Sequence, residues 1–160
     1  MKQLLTNEIH SNSSYWYLEN RIPTLGEVRN KIVLATRFES EDGLYFNWEE
    51  QGDRAILKVP VTKSNINDNE ALYIQDRFNY DVKDKIDAIE YGLENAKADD
   101  STFHLNFTST SGKGKVGFPK KYAKKINNYL MEYNWQKKNY GILIVDFANQ
   151  DLAHKIYSTN

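Results

Sequence analysis

Polar side chains fall at four places in this sequence where chemistry could be done. Arg37 ends the apolar run "KIVLATRF" that starts at Lys31, and Asp76 ends "EALYIQD" (70–76). Asn106, Thr108 and Ser109 lie near the end of "FHLNFTS" (103–109), and Asp146 ends "YGILIVDF" (140–147). Each run reads as a β-strand, and in α/β folds ligands sit beyond the carboxyl ends of the strands. One cation, two carboxylates, hydroxyls and an amide at equivalent places suit a polyol or a phosphate. Carboxylates accept sugar-hydroxyl protons, and an arginine donates two parallel hydrogen bonds. Phe78 and Tyr80, just beyond Asp76, offer aromatic cover to the apolar face of a ring. Each residue also has a structural reading: Arg37 could pair with a surface carboxylate, and Asp146 could cap a helix starting near Gln150.

Other chemistries find less support. His10, His104 and His154 have no metal-ligand spacing, so no metal site is expected. His104 reads as a packed ring inside a strand, His10 lies in a polar stretch, and His154 falls on an exposed helix face. None reads as a general base, and no cofactor is implied. Two aspartates on separate strands are no specific signal of glycoside hydrolysis. The stretch "TSTSGKGKVGFP" (108–119) has glycines and lysines without the GxxxxGK[ST] order, so it reads as a βα loop rather than a phosphate-binding loop. Its Lys113 and Lys115 could meet an anionic surface or simply be solvated.

The elements that must position these residues alternate. Apolar Val82, Ile86, Ile89 and Leu93 recur at a helical period and predict a helix over 82–97. Pro119 suits a first helical turn, and Tyr122, Ile126, Tyr129 and Tyr133 predict a helix over 119–137. A last short helix reads in "NQDLAHKIYS" (149–158), and Thr24 with Glu27 has capping-box spacing for a short helix before the first strand. Strand and helix in alternation mean parallel strands with right-handed crossovers. The connection from 41 to 61 breaks the pattern and reads as a hairpin-like excursion turning around Glu50 to Asp53, with extended structure over 43–60. The fourth strand reads as buried on both faces. Four parallel strands make either a small open sheet or half of an eight-stranded barrel, and the residues alone favour the open sheet.

At 160 residues one domain is expected. A net charge of -1 offers no electrostatic footprint for nucleic acid, so none is expected as a partner. The absence of cysteine removes disulfides and thiolate chemistry without choosing a compartment. The opening "MKQLLTNEIHSN" has no apolar core of a signal peptide, and no 18-residue apolar run is present. Eleven Tyr and three Trp fit either ordinary packing or a surface that meets sugars and lipid headgroups.

The segments "IPTLGEVRNKIVLATRF", "LYIQDRFNY", "LNFTSTSG", "PKKYAKKINNYL" and "YGILIVDFAN" together resemble the bacterial phosphatidylinositol-specific phospholipase C family. The resemblance runs from about Tyr15 to the end, leaving 1–14 as an N-terminal extension. It concerns the second half of that family's catalytic barrel. It therefore implies an α/β fold of four mostly parallel strands with alternating helices, equivalent to the second half of a TIM-like barrel. The family cleaves phosphatidylinositol, and often glycosylphosphatidylinositol anchors, by acid–base catalysis with two histidines, and is secreted. By resemblance Arg37 and Asp76 grip inositol hydroxyls, and Asp146 orients the general-base histidine. Phe78 stands where the family often has a tyrosine that stacks on inositol. The "TSTSG" loop resembles a rim element near the membrane, so a peripheral membrane surface is an expected partner. Both catalytic histidines and the phosphate-binding arginine belong to the other half. Two readings follow: a phospholipase half that is inactive alone, or a non-enzymatic module that binds inositol or another polyol. Either expects self-association or a complementary N-terminal half, and an unrelated small α/β hydrolase stands as a third reading.

Overall fold

The computed structural model describes residues 2–49, 51, 57–60, 70–96, 102–113 and 118–159. Helix α1 (Lys2–Ser11) and a short 3-10 turn (Ser13–Tyr15) lead into β1 (Trp16–Tyr17). Then follow β2 (Ile32–Val33), β3 (Ala35–Thr36), β4 (Leu44–Tyr45), β5 (Leu57–Pro60) and β6 (Ala71–Gln75). The remainder alternates: α2 (Val82–Glu94), β7 (Thr102–Phe107), α3 (Pro119–Glu132), β8 (Ile142–Ile144) and α4 (Gln150–Tyr157).

Strands β6, β7 and β8 form one parallel ladder, with Ile74 opposite Leu105 and Leu105 opposite Ile142. Helices α2 and α3 are its crossovers, as the alternating periods require. Strand β5 adds to the far side of β6 in antiparallel sense. The excursion over 41–61 contains extended pieces as expected, but its described strands form no hairpin: β4 runs parallel to β3, and β5 pairs with β6. Of the expected turn at 50–53, only Gln51 lies among the described residues.

The run from Lys31 to Arg37 is two short strands rather than one, and neither pairs with β6. The physical reason lies at Leu34. Its N–H donates to the Tyr17 carbonyl at 3.3 Å while its carbonyl accepts from Leu44 N–H at 2.9 Å. The segment hands over there from β1 on one side to β4 on the other. Gly43 makes the handover possible: its φ is +77°, and a Cβ would lie 2.6 Å from the Leu34 carbonyl oxygen.

Helix α3 stops at Glu132, short of the expected 137, because Tyr133 turns extended with ψ of 139°. Trp135 then folds back, donating its indole N–H to the Leu130 carbonyl at 2.9 Å and packing edge-on against Tyr133 and Tyr140. Thr24 and Glu27 form only one of the two capping-box bonds, Thr24 N–H to Glu27 Oε2 at 2.8 Å, while the Thr24 hydroxyl donates to the same carboxylate and Glu27 N–H goes to the Thr24 carbonyl; the segment is a series of turns, not a helix. Helix α4 is capped by Asn149, whose Oδ1 accepts Leu152 N–H at 2.8 Å, so Asp146 is not its cap.

The sheet separates two apolar layers. Ile89, Leu93, Ile126, Leu130 and Leu152 fill the space between the ladder and helices α2, α3 and α4. On the other face Ile22, Leu44, Phe46, Leu72 and Ile74 pack together. Strand β8 was expected to be covered on both faces, but Ile142 and Ile144 remain 47% and 38% exposed. Tyr140, Leu143 and Val145 of this run pack against the helical layer. Among the described residues no helix is long and apolar enough to cross a membrane.

Candidate functional site

The two-residue period of a strand decides which side chains meet. Val33, Ala35 and Arg37 alternate along the first run. Leu72, Ile74 and Asp76 do so along β6, and Ile142, Ile144 and Asp146 along β8. All three series run along the sheet face away from the helices. That face bounds a cavity of about 350 Å³, lined by Leu44, Phe46, Leu72, Leu105 and Ile144, with Arg37 and Trp48 also on its wall. The site is therefore an apolar trough with Arg37, Asp76 and Asp146 at the carboxyl ends of these three runs.

Arg37 and Asp76 meet at this end. Arg37 Nη1 stands 3.7 Å from Asp76 Oδ2, with the arginine side chain half exposed and the carboxylate 16% exposed. The guanidinium lies over the Trp48 ring at 4.0 Å and donates from Nη2 to the Trp48 carbonyl at 2.7 Å. Trp48 in turn donates its indole N–H to Asp76 Oδ2 at 2.9 Å. Gln51 ties down the backbone: its Oε1 accepts Asp76 N–H at 2.7 Å, and its Nε2 donates to the Ile74 carbonyl. The pair is too long for a direct hydrogen bond. Asp76 Oδ1 accepts no hydrogen bond from the described residues. A hydroxyl can therefore bridge the two, accepting from Nη1 and donating to the carboxylate, while Trp48 holds the carboxylate in place.

Phe78 follows on the same end, 45% exposed. Its carbonyl is pinned by Ser111 N–H at 2.7 Å and lies 3.2 Å from the Thr110 hydroxyl. The backbone of this rim is thus fixed while the ring faces out. Asp146 is half buried at the end of β8, and among the described residues no hydrogen bond or ion pair engages its carboxylate. Only its carbonyl is held, by Asn127 Nδ2 at 3.0 Å. Lys113 sits over the start of α2, 4.0 Å from Asp84 Oδ2. Lys115 lies outside the described residues.

Asn106 and Thr108 do not belong to the trough. Both are buried on the other face of β7, where the Asn106 amide meets Gln75 and the Ile89 carbonyl, and the Thr108 hydroxyl donates to the Ile144 carbonyl at 3.0 Å. His104 lies on that face too, stacked flat on Tyr73 with ring centroids 4.8 Å apart. His154 is exposed on α4 against Tyr157. His10 lines a separate cleft of about 310 Å³ with Ile9, Phe38, Glu39 and Asp42.

Three residues of the site region escaped the sequence reading. Trp48 and Gln51 sit in the connection read as an excursion, although Leu44, Phe46 and Trp48 alternate like a strand. Lys85 lies on the apolar stripe of α2, three residues after Val82 and four before Ile89. It is fully buried, and burial pushes its ammonium down to about 7.

No protein-family model matches the chain, and no curated protein matches it in sequence. Its fold matches solved phosphatidylinositol-specific phospholipases C. A Staphylococcus aureus enzyme carrying pentafluoro-phenylalanine superposes with a TM-score of 0.72 at 23% identity, covering 94% of this chain and 54% of that one. The Listeria monocytogenes enzyme gives 0.71 at 23% identity, covering 98% and 56%. Another Staphylococcus aureus structure, concerned with modulation of membrane binding, gives 0.71 at 22% identity. The chain spans about half the length of these structures. The resemblance to this family is thus present in the fold as well as in the sequence segments.

Proposed function

We propose that this chain is the inositol-recognising half of a phosphatidylinositol-specific phospholipase C-like barrel. The observation that carries this reading is the Arg37–Trp48–Asp76 cluster at the carboxyl end of an apolar trough. Arg37 and Asp76 grip the inositol ring through a hydroxyl that bridges them, and the exposed Phe78 ring covers its apolar face. Phe78 supplies the stacking surface of the family's tyrosine without a phenol hydroxyl. Asp146, at the end of β8, is suited to orient a basic imidazole. Phe118 and Phe147, 75% and 61% exposed beside the same loops, and Lys113 suit contact with an anionic lipid surface. Lys115 is assigned the same role from the sequence alone.

Cyclisation of the headgroup needs a base near the 2-hydroxyl and an acid near the leaving oxygen, each within hydrogen-bond reach. His104 and His154 lie away from the trough, and His10 lines another cleft. The proton-transfer groups are therefore assigned to a second polypeptide face, which also covers Ile142 and Ile144 and pairs with the edge of β8 that no described strand covers. A complementary N-terminal half meets both needs, whereas a second copy of this chain meets only the second, since it brings the same three histidines. Those histidine positions also favour a second reading, in which the chain binds inositol or another polyol without turning it over.

Titration of the isotope-labelled chain with myo-inositol tests the shared core of both readings. The expected result is a set of amide shifts centred on Arg37, Asp76 and Phe78 with a shift of the Trp48 indole resonance. Shifts confined to other surfaces, or none at millimolar inositol, would sink it.

A further inference from the structure

The strand end that carries Asp76 is held from behind by a buried cation. Lys85 Nζ donates to Gln75 Oε1 at 3.0 Å and to the Arg77 carbonyl at 2.7 Å. Those two groups bracket Asp76 in sequence. Gln75 Oε1 also accepts Arg77 N–H at 2.8 Å. Gln75 Nε2 donates to Asn106 Oδ1 at 2.7 Å and to the Phe107 carbonyl at 2.8 Å. Asn106 Nδ2 closes the circuit on the Ile89 carbonyl of α2 at 3.0 Å. Gly92 leaves room for this amide, since a Cβ there would sit 2.4 Å from Asn106 Nδ2.

Among the described residues no carboxylate lies within ion-pair distance of Lys85 Nζ. A buried cation without a counterion is costly, and an apolar side chain of similar length would fill the space at less cost. The charged groups acting on it are Asp76, which favours the ammonium, and Arg77, which opposes it. Its own helix contributes Asp81 and Asp84 at the first turn, and β7 presents neutral Asn106 with His104 two residues earlier. The cation thus lies behind the same strand end from which Asp76 projects into the trough.

We propose that Lys85 is the positioning residue of the polyol site, fixing the Gln75 side chain and the Arg77 carbonyl on either side of Asp76 so that the carboxylate faces Arg37, and that loss of its proton loosens this hold. The inference rests on the Arg37–Asp76 reading above. A neutral amine keeps donors for both acceptors, but hydrogen bonds without charge are about half as strong. Burial sets the proton loss near pH 7, so affinity for a polyol is higher at pH 6 than at pH 8.5.

The test compares the wild-type chain with Lys85→Met over pH 6 to 8.5 by two readouts. The first is the Trp48 indole N–H resonance without ligand, assigned with Trp48→Phe; it reports the Asp76 carboxylate directly. The second is myo-inositol affinity by calorimetry. In the wild type both are expected to titrate with a midpoint near pH 7. In Lys85→Met the indole resonance becomes flat with pH, and affinity at pH 6 falls about tenfold, as for loss of one charge-assisted contact. His104 is present in both proteins, so the comparison removes any imidazole contribution. A Lys85→Met chain whose indole titration matches the wild type overturns the inference and leaves the polyol reading intact. An indole titration that Lys85→Met abolishes, in a chain that binds no inositol at any pH, supports the positioning role and overturns the polyol reading instead.

Discussion

Asp76→Asn separates the charge of the site from its shape. The amide has the size of the carboxylate and still offers Trp48 an acceptor, so the indole bond at 2.9 Å can survive. What is lost is the charge facing Arg37 at 3.7 Å. At that distance an effective dielectric between 20 and 80 gives about 1–4 kcal/mol. Arg37 is half exposed, so solvent screening brings the net contribution to about 1 kcal/mol or less. Folding should therefore change little, by about 1 kcal/mol at most in urea unfolding. Ligand binding should change more. A hydrogen bond to a charged group contributes about 1.5–3 kcal/mol against about 0.5–1.5 kcal/mol for a neutral one. Asp76→Asn should weaken myo-inositol binding about tenfold, and Asp76→Ala, which removes the acceptor altogether, about a hundredfold. Calorimetric titration at fixed pH reads both. An Asp76→Asn chain that binds within twofold of wild type, with its fold intact, would refute the claim that this carboxylate grips the sugar.

Further outcomes follow from other parts of the molecule. The exposed Ile142 and Ile144 on β8 should drive concentration-dependent association in sedimentation, and Ile144→Lys should shift the chain toward monomer. Asn149→Ala should destabilise the fold by about 1 kcal/mol in urea, because Leu152 N–H loses its acceptor at the start of α4. Lys85 is depressed to about 7 from an ordinary 10.5, so below pH 7 both folded and unfolded chains carry its proton. Between 7 and 10.5 the unfolded chain binds more protons, so stability should rise with pH across that window, by at most about 1.4 kcal/mol per pH unit. Lys85→Met should lack this rise in unfolding free energies measured from pH 6 to 10.

Much of the trough was legible because a strand's period is simple. Once Lys31–Arg37, Glu70–Asp76 and Tyr140–Phe147 read as strands, alternation alone sends Arg37, Asp76 and Asp146 to one face. The same alternation sends Asn106 and Thr108 to the other face, and counting residues by strand end alone overlooked it. Partner choice was not legible. Nothing in "KIVLATRF" says that Leu34 turns its N–H to β1 and its carbonyl to β4, because that depends on Gly43 and a distant strand. Trp48 was hidden in a connection without helical period, although Leu44, Phe46 and Trp48 alternate as a strand does. An apolar run such as "GILIV" says that its faces prefer cover, but not which chain supplies it. Lys85 carried a signal in its place on the stripe of α2. Lysine usually sits at the exposed margin of such a stripe, and only the structure reveals Gln75 and the Arg77 carbonyl waiting for it.

The central claim is recognition of the inositol headgroup without self-sufficient proton transfer. The most direct measurement mixes the purified 160-residue chain with phosphatidylinositol vesicles and follows both cosedimentation and phosphorus NMR. The expected result is vesicle binding that free myo-inositol and Asp76→Ala diminish, with no inositol cyclic phosphate formed, since losing acid and base together costs about four or more powers of ten in rate. Cyclic phosphate produced by the chain alone, and abolished by His10→Ala, would contradict it.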